Sequence, residues 1–267
     1  MPKNRSGTLS LSPILGLRDI RTSLFKTHRC HKKEFLLKFA HDRKRWLHWL
    51  YEAKKRYKLK VLNYVVTSNH IHLLVKDSGK GEIAKSMQLI AGRTAQEYNQ
   101  RKDRKGAYWE DRYHATAVES GQHLIKCLVY IDMNMVRAGV VSHPKQWPFN
   151  GYNEILSPPE RYTLININTL TKSCGINDLP MFKELYKQWV ETELKLNLHK
   201  RQDKWTESLA VGSKQYIENY IQHFEASNKK ICRTDDEYQI RENNAAYNTH
   251  FVPKMEALRA KNSYSWF

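Results

Sequence analysis

The stretch Ser68-Asn69-His70-Ile71-His72-Leu73-Leu74-Val75 contains two histidines, two residues apart, inside an apolar segment. In a β-strand, side chains at positions i and i+2 point to the same face, so the two imidazoles would lie side by side. Residues 59–67 are also apolar and predict a neighbouring strand. A rigid pair of imidazoles on a sheet can bind a divalent metal ion. Histidines in a strand can equally bond to neighbouring groups, so the pair alone does not define a site.

The net charge of +18 is concentrated in the first part of the chain. Residues 1–150 contain 29 lysines and arginines against 12 acidic residues, a net charge of +17, whereas residues 151–267 contain 16 against 15. A field of this sign attracts phosphate backbones, with a strong salt dependence. Charge alone is also compatible with a generally basic, solvated surface. Because the excess lies in the same segment as the histidine pair, we expect a nucleic-acid partner.

The composition predicts a soluble protein of one large domain with an appendage, or of two small domains. The chain has 267 residues, of which 40% are apolar. Its four cysteines lack the spacing of a zinc site, so we expect reduced thiols in a cytoplasmic protein. Residues 1–12 are polar and no long apolar run follows, so neither a signal peptide nor a membrane span is expected.

Hydrophobic periodicity predicts alternating strands and helices up to residue 157. Strands are predicted at residues 24–30, 59–67, 70–76 and 107–119, and helices at residues 33–57, 82–100 and from Ser120 to Gly139. Phe39 is among the residues that we expect on the buried face of the first helix. Pro158-Pro159 predicts a boundary between a domain at residues 1–157 and a helical region at residues 158–267. In that second region, residues 179–196 and a segment capped by Ser213 have helical patterns.

The helix predicted after Ser120 has one apolar and one polar stripe. The apolar stripe comprises Leu124, Leu128, Ile131 and Met135, and the polar stripe comprises His123, Lys126, Tyr130, Asn134 and Arg137. A tyrosine in a cationic stripe is a candidate nucleophile, and Asn134, one turn later, could provide an amide oxygen to a metal ion. Alternatively, Tyr130 buries its ring and bonds to a backbone carbonyl, and Asn134 is a helix-end residue.

Four motifs occur in one order along the chain: His70-Ile71-His72, residues 93–99, residues 108–113 (Tyr-Trp-Glu-Asp-Arg-Tyr) and residues 130–139 (Tyr-Ile-Asp-Met-Asn-Met-Val-Arg-Ala-Gly). In this order they resemble the single-tyrosine HUH transposases, in particular the transposases associated with repetitive extragenic palindromes (REP). The resemblance covers about residues 24–157. It departs from the family pattern at Met135, where many relatives have proline, and it is poor before residue 24.

The resemblance implies an α+β fold with a ferredoxin-like (RRM-like) antiparallel sheet and helices on one face, to which we add a C-terminal helical appendage. It implies that His70 and His72 bind Mg²⁺ or Mn²⁺, that Asn134 is the third ligand and that Tyr130 is the nucleophile. The residues expected to contact DNA are Arg93, Trp109, Arg112, Lys126 and Arg137. For Trp109, packing in the core is the alternative. Tyr113 and Tyr64 are competing candidates for the nucleophile.

The activity implied is metal-dependent cleavage and rejoining of single-stranded DNA through a covalent 5′-phosphotyrosine intermediate. The expected partner is a DNA hairpin of the REP type. Two alternatives remain: a non-catalytic or domesticated regulator that binds such hairpins, and an HUH replication or mobilisation nickase, which the lack of a helicase motif disfavours. We expect a cytoplasmic, nucleoid-associated protein. It would act as a monomer or, if the helix with Tyr130 reaches a second copy, as a homodimer.

Overall fold

The computed structural model describes residues 22–111, 113–196, 201–224, 229–234 and 237–242. Its first part alternates strands and helices: β1 (Ser23–Arg29), α1 (Ala40–Tyr57), β2 (Lys60–Val66), β3 (His70–Lys76), α2 (Glu82–Arg101) and β4 (His114–Val118). The four strands are all antiparallel and lie in the order β2-β3-β1-β4. This order and the βαββαβ connection are those of a ferredoxin-like sheet, so the expected α+β fold is confirmed.

The two faces of this sheet carry different helices. Phe25 and Lys26 are adjacent in β1, so their side chains point to opposite faces of the sheet. The face of Phe25 includes Asn63 of β2, whose amide donates to α3 (Gln122–Asp132). The other face is covered by α1 and α2, as expected for the helices of a ferredoxin-like unit. There, the indole N–H of Trp109 donates to a backbone carbonyl of α2.

Helix α1 begins at Ala40, later than the predicted start at residue 33. The segment before it bonds to other parts of the chain: the N–H of Leu37 donates to the carbonyl of Ser68, and the guanidinium of Arg43 donates to the carbonyls of Leu37 and Lys38. These bonds replace a first helical turn. The prediction that Phe39 faces the core is therefore wrong, and its side chain is 58% exposed.

The helix predicted from Ser120 to Gly139 is divided into α3 and the short α4 (Asn134–Arg137), with Met133 at the junction. The residue at the N-cap is Gly121 and not Ser120, since the chain turns there with φ 79°. The end is as predicted, because Gly139 adopts a left-handed φ of 67° directly after α4. All four residues of the predicted apolar stripe are buried.

Helix α5 (Gly151–Leu156) ends the first region, and the C-terminal region contains helices α6 (Ile167–Cys174), α7 (Leu179–Leu196), α8 (Lys204–Glu207) and α9 (Lys214–Phe224). The predicted helix at 179–196 is thus confirmed. So is the helix after Ser213, whose hydroxyl accepts from the N–H of Tyr216. No helix in the described part of the chain is long and apolar enough to cross a membrane.

This region also contains three strands that the sequence did not indicate: β5 (Ser208–Gly212), β6 (Lys229–Thr234) and β7 (Glu237–Glu242). Strand β5 pairs in parallel with β4, and the sheet continues as β4-β5-β7-β6. The C-terminal region is therefore helical only in part, and it extends the sheet of the first region. The boundary between residues 157 and 158 stays a prediction.

Candidate active site

Three candidate metal ligands converge at the start of β3. The rings of His70 and His72 lie 4.9 Å apart between centroids and nearly perpendicular to each other. The amide nitrogen of Asn134 is 2.9 Å from Nε2 of His72. The ring of His72 is held from its other side by Phe25, which stacks on it at 5.3 Å. Among the described residues, no group of three His, Cys, Asp or Glu side chains could hold a metal ion.

The residues before β3 orient the ring of His70. Its Nδ1 lies 2.7 Å from Oδ1 of Asn69 and 3.1 Å from the hydroxyl oxygen of Thr67. The Thr67 hydroxyl donates its own hydrogen to the carbonyl of His70, so both oxygens accept from Nδ1–H. This tautomer leaves the lone pair on Nε2 of His70. A fixed tautomer with one free nitrogen is the usual state of a metal-binding histidine.

Both histidines are neutral at pH 7. Burial, together with repulsion from the positive charges of Arg29 and Arg201, lowers the pKa of His70 to about 4. Burial also holds the pKa of His72 well below its usual value, with added repulsion from His70 and Arg137. Neutral imidazole is the form that binds metal ions, because protonation competes with the metal for the lone pair.

Tyr130 lies on α3 beside these ligands. Its ring is 6.3 Å from the ring of His72, and Phe25 and Trp205 pack against it at 6.2 and 6.0 Å. Only 5% of its surface is exposed. Burial raises the pKa of the phenol, and the positive charges of Arg137 and Arg201 partly oppose this rise.

Arg137 contacts Tyr130 twice. Its guanidinium lies 4.0 Å from the centre of the Tyr130 ring, and its Nη2 donates to the backbone carbonyl of Tyr130 at 2.6 Å. The predicted polar stripe therefore brings Tyr130, Asn134 and Arg137 together. Both structural alternatives for these residues hold in part, since the ring of Tyr130 is buried and Asn134 is the first residue of α4, at the junction with α3.

A buried hydrogen-bond network fixes α3 at the point where it meets α4. The carboxylate of Asp132 accepts from the amide of Asn63 at 3.0 Å and from the hydroxyl of Tyr186 in α7. Burial raises the pKa of Asp132 to about 7, although the two hydrogen bonds lower it. Asp132 lies two residues from Tyr130 and two from Asn134, so this network holds both of them on the sheet.

Lys126 lies one turn before Tyr130, and both line a cleft of about 520 Å³ between α3, α7 and β7. The ammonium of Lys126 forms an ion pair with Glu237 at 2.8 Å, and Lys204 binds the same carboxylate. Burial alone would raise the pKa of Glu237, but hydrogen bonds from His123, Lys126 and Lys204 outweigh it and hold the pKa far below its usual value. The C-terminal region thus contributes to the wall of the cleft beside Tyr130.

Three residues of the site were not singled out from the sequence: Arg29, Arg201 and Trp205. Arg29 is the register partner of His70 on β1, and Trp205 covers the ring of Tyr130. The strand pairing and the fold of the C-terminal region that bring them to the site are long-range contacts. The local sequence around these three residues contains no signal for them.

The other predicted residues lie elsewhere. Arg93 is exposed on α2, with its guanidinium 5.5 Å from the ring of Trp49. Trp109 stacks on His28 at 4.0 Å, on the face of the sheet away from Tyr130, and this geometry agrees with the packing alternative. Arg112 lies outside the described residues.

Neither competing tyrosine is near the histidine pair. The ring of Tyr113 lies 3.8 Å from the ammonium of Lys26, on the opposite face of the sheet. The hydroxyl of Tyr64 donates to the carboxylate of Glu154. Tyr130 is the only one of the three candidates whose ring packs with His72.

Residues 27–134 match the family model of the IS200-like transposases. This segment contains both histidines, Tyr130 and Asn134, so the resemblance indicated by the sequence motifs is confirmed for it. The segment of the chain that carries the candidate site is thus similar to transposases of the IS200 type.

Two solved structures are similar to this chain. One is a REP-associated tyrosine transposase bound to a REP hairpin, with 18% identity and a TM-score of 0.44 over 52% of this chain and 81% of that one. The other is a putative transposase from Deinococcus radiodurans R1, with 13% identity and a TM-score of 0.30 over 43% and 84% of the two chains. None of the curated proteins matches this chain.

Proposed function

We propose that this protein cleaves and rejoins single-stranded DNA through a covalent bond between Tyr130 and a 5′-phosphate. The observation that carries the proposal is the convergence of His70, His72, Asn134 and Tyr130 at one place on the sheet. The match of residues 27–134 to IS200-like transposases supports the reaction class.

The donor set fits a divalent metal ion. His70 and His72 are neutral, and rotation of the Asn134 amide about its Cβ–Cγ bond exchanges nitrogen for oxygen at the position facing His72. Imidazole nitrogen with amide oxygen and water is compatible with Mg²⁺ or Mn²⁺. When bound, such an ion would neutralise charge on the non-bridging oxygens of the scissile phosphate.

Tyr130 is the proposed nucleophile. Its Oη would attack phosphorus and form a phosphotyrosine bond, while the bond from phosphorus to the 3′-oxygen breaks and that oxygen leaves as a 3′-hydroxyl. The phenol must lose its proton, and burial opposes this loss, whereas the charges of Arg137 and Arg201 favour it. Attack by another 3′-hydroxyl on the phosphotyrosine reverses the step and joins strands without an external energy source.

The proposed substrate is a REP-like DNA hairpin with a single-stranded flank. The motifs of residues 70–72, 93–99, 108–113 and 130–139 are the basis for this choice of hairpin. The net charge of +17 in residues 1–150, and the side chains of Arg29, Arg137 and Arg201 near the histidines, suit a polyanion.

A non-catalytic regulator that binds the same hairpins is the second candidate. It is favoured by one observation, the burial of Tyr130 beneath Trp205 with a raised pKa of its phenol. A nucleophile in this state must gain access to its phosphate before it can react. The two candidates therefore differ in whether a covalent adduct forms.

The experiment is incubation of the purified protein with labelled single-stranded hairpins and Mg²⁺ or Mn²⁺, followed by a denaturing gel. We expect a metal-dependent adduct that resists detergent and is lost in Tyr130→Phe and in His70→Ala. Tyr113→Phe is the matched control and should form the adduct at the normal rate. Salt-sensitive binding without an adduct, across a panel of hairpins, would establish the regulator.

We also propose that one chain completes the active site, because Tyr130 packs with His72 of the same chain. Mixing Tyr130→Phe with His70→Ala tests this. If the helix with Tyr130 were exchanged within a homodimer, the mixture would contain one intact site and recover part of the activity. A monomeric site predicts no recovery.

A further inference from the structure

The loop that connects β1 to α1 exposes two phenylalanines. Phe35 is 65% exposed and Phe39 is 58% exposed, while Leu36 and Leu37 between them are buried. We call residues 31–39 the aromatic loop. Phenylalanine has no polar atom to solvate, so two such rings in solvent, on a loop with three lysines, indicate a binding surface.

The backbone of the aromatic loop is firmly held. The N–H of Leu37 donates to the carbonyl of Ser68, the hydroxyl of Tyr108 donates to the carbonyl of Leu36, and Arg43 binds the carbonyls of Leu37 and Lys38. The exposure of the two rings is therefore a fixed feature of this fold. A ring that is already positioned loses little conformational entropy when a ligand stacks on it.

The aromatic loop is joined to the metal-ligand pair through one side chain. The amide of Asn69 accepts from Nδ1 of His70 through its oxygen, and donates through its nitrogen to the carbonyl of Lys33 at 3.2 Å. Lys32 and Lys33 adopt left-handed φ values of 50° and 61°, which non-glycine residues rarely adopt. Backbone strain of this kind is concentrated at functional sites, and here it shapes the turn that meets Asn69.

Cations lie in the aromatic loop and beside the ring of Phe39. Lys32, Lys33 and Lys38 lie in the aromatic loop, and the ammonium groups of Lys38 and Lys102 are each 5.8 Å from the centre of the Phe39 ring. Glu34, the acidic residue of the loop, forms an ion pair with Arg104 at 3.2 Å. The surface thus combines exposed aromatic faces with positive charge.

We propose that the aromatic loop binds the single-stranded part of the DNA next to the scissile phosphate. Phe35 and Phe39 stack on unpaired bases, and the loop lysines contact the flanking phosphates. Exposed rings beside cations are the combination that binds single strands, because every unpaired base offers a flat face and every linkage a negative charge. In a duplex the bases are already stacked on each other. The inference rests on the proposed function for the identity of the neighbouring site.

The test is fluorescence anisotropy with labelled oligothymidylate, and with a duplex of equal length, in the presence of EDTA so that cleavage cannot occur. Replacement of Phe35 or Phe39 by Ala should raise the Kd for the single strand by about 5- to 100-fold each. The slope of log Kd against log salt concentration should stay unchanged. The double variant Met181→Ala, Leu196→Ala removes side chains of similar exposure from α7 and should bind like the wild type.

Two further variants separate stacking from folding and from charge. Phe35→Trp keeps a flat ring and should bind at least as tightly as the wild type, which a merely structural role would not require. Replacement of Lys32, Lys33 and Lys38 by Gln should reduce the salt slope, since each phosphate contact contributes about one unit.

Equal single-strand affinity of the two alanine variants and the α7 control would overturn the inference. So would an equal loss of affinity for single strand and duplex. These results are independent of the adduct assay. Adducts without any effect of Phe35 and Phe39 on binding would leave the proposed function standing and refute the role of the aromatic loop. Ring-dependent binding without adducts would support the role of the aromatic loop and refute the proposed cleavage.

Discussion

The two faces of the central sheet contain the same kinds of residue but arrange them differently. On one face, Asn134 and Tyr130 contact the ring of His72, and the tautomer of His70 leaves a lone pair on its Nε2. On the other, Nε2 of His28 bonds to the carbonyl of Asp111, and its ring stacks on Trp109. The first arrangement can accept a ligand, and the second has used its groups for packing.

This difference shows why residue type alone does not locate the site. Tyr113 and Trp109 belong to a family-like motif, and they have a lysine and a histidine as neighbours, yet they lie on the packed face. The register of β1 decides between the faces, because Phe25 and Lys26 are adjacent in sequence and point in opposite directions. The following variants test whether the two faces differ in function as their geometry implies.

The largest expected effect distinguishes His72 from His28. His72→Ala removes a proposed metal ligand and should lower the rate of the proposed cleavage by about 10³-fold or more, because metal stabilisation of charge is worth several kcal/mol. Titration calorimetry with Mn²⁺ should show weakened binding in the same variant. His28→Ala should leave Mn²⁺ affinity unchanged. Equal loss of Mn²⁺ affinity in both variants would show that the two faces do not differ in this way.

The buried His28 should make the protein less stable in acid. Burial lowers the pKa of His28 to about 4, whereas the unfolded chain has the ordinary value near 6.5. Below pH 6.5 the unfolded state therefore takes up a proton that the folded state does not, and stability falls as the pH falls toward 4. His28→Phe should remove up to about 3 kcal/mol of this fall.

Urea unfolding of the wild type and His28→Phe at pH 7 and pH 4.5 measures this difference. The comparison between the two pH values cancels any loss of packing that the variant causes at both. Parallel curves for the two proteins would mean that His28 does not contribute to acid sensitivity.

A smaller effect is expected at Asn69, whose side chain orients the proposed ligand His70 through a hydrogen bond. Loss of a side chain in this position typically lowers metal affinity by 10- to 100-fold, and Asn69→Ala should fall in this range. Asn69→Asp keeps the acceptor for Nδ1–H and should recover much of the affinity. Unchanged Mn²⁺ affinity in Asn69→Ala would show that the orientation of His70 does not depend on this bond.

The smallest effect is expected in the hydrogen-bond network of Asp132, which holds α3 on the face of the sheet that carries His72. Tyr186→Phe removes the hydroxyl that donates to Asp132 and should lower the free energy of unfolding by about 1–2 kcal/mol. Tyr51→Phe, on the half-buried surface of α1, should change it by less than about 0.5 kcal/mol. An unchanged free energy of unfolding in Tyr186→Phe would indicate that apolar packing alone positions α3.

Much of the fold and of the site could be predicted because the signals were local. The strand at residues 70–76 and the helix at 179–196 have clear periodicity, and the motifs placed His70, His72, Tyr130 and Asn134 in one site that the geometry also brings together. The start of α1 was missed since tertiary bonds to Ser68 and Arg43 override the helical pattern of residues 33–39.

Long-range pairing could not be predicted. Strand β5 is a short segment between two helices, and β6 and β7 alternate polar and apolar residues without a strong turn signal. Strand β5 joins the sheet by pairing with β4, almost a hundred residues earlier in the chain, and β7 and β6 follow by pairing with β5 and with each other. Arg201 and Trp205 reach the site through the same long-range fold of the C-terminal region, so the sequence could not predict their positions either.

We expect the nucleophile on the face of the sheet that carries His72. The most direct test is to form the adduct with a labelled hairpin, digest it with trypsin and locate the nucleotide by mass spectrometry. Cleavage after Lys126 and Arg137 gives a peptide of residues 127–137 in which Tyr130 is the single tyrosine, and cleavage after Arg112 and Lys126 gives one with Tyr113 alone. We expect the nucleotide on the peptide with Tyr130. A nucleotide on the peptide with Tyr113 would place the chemistry on the opposite face and contradict this expectation.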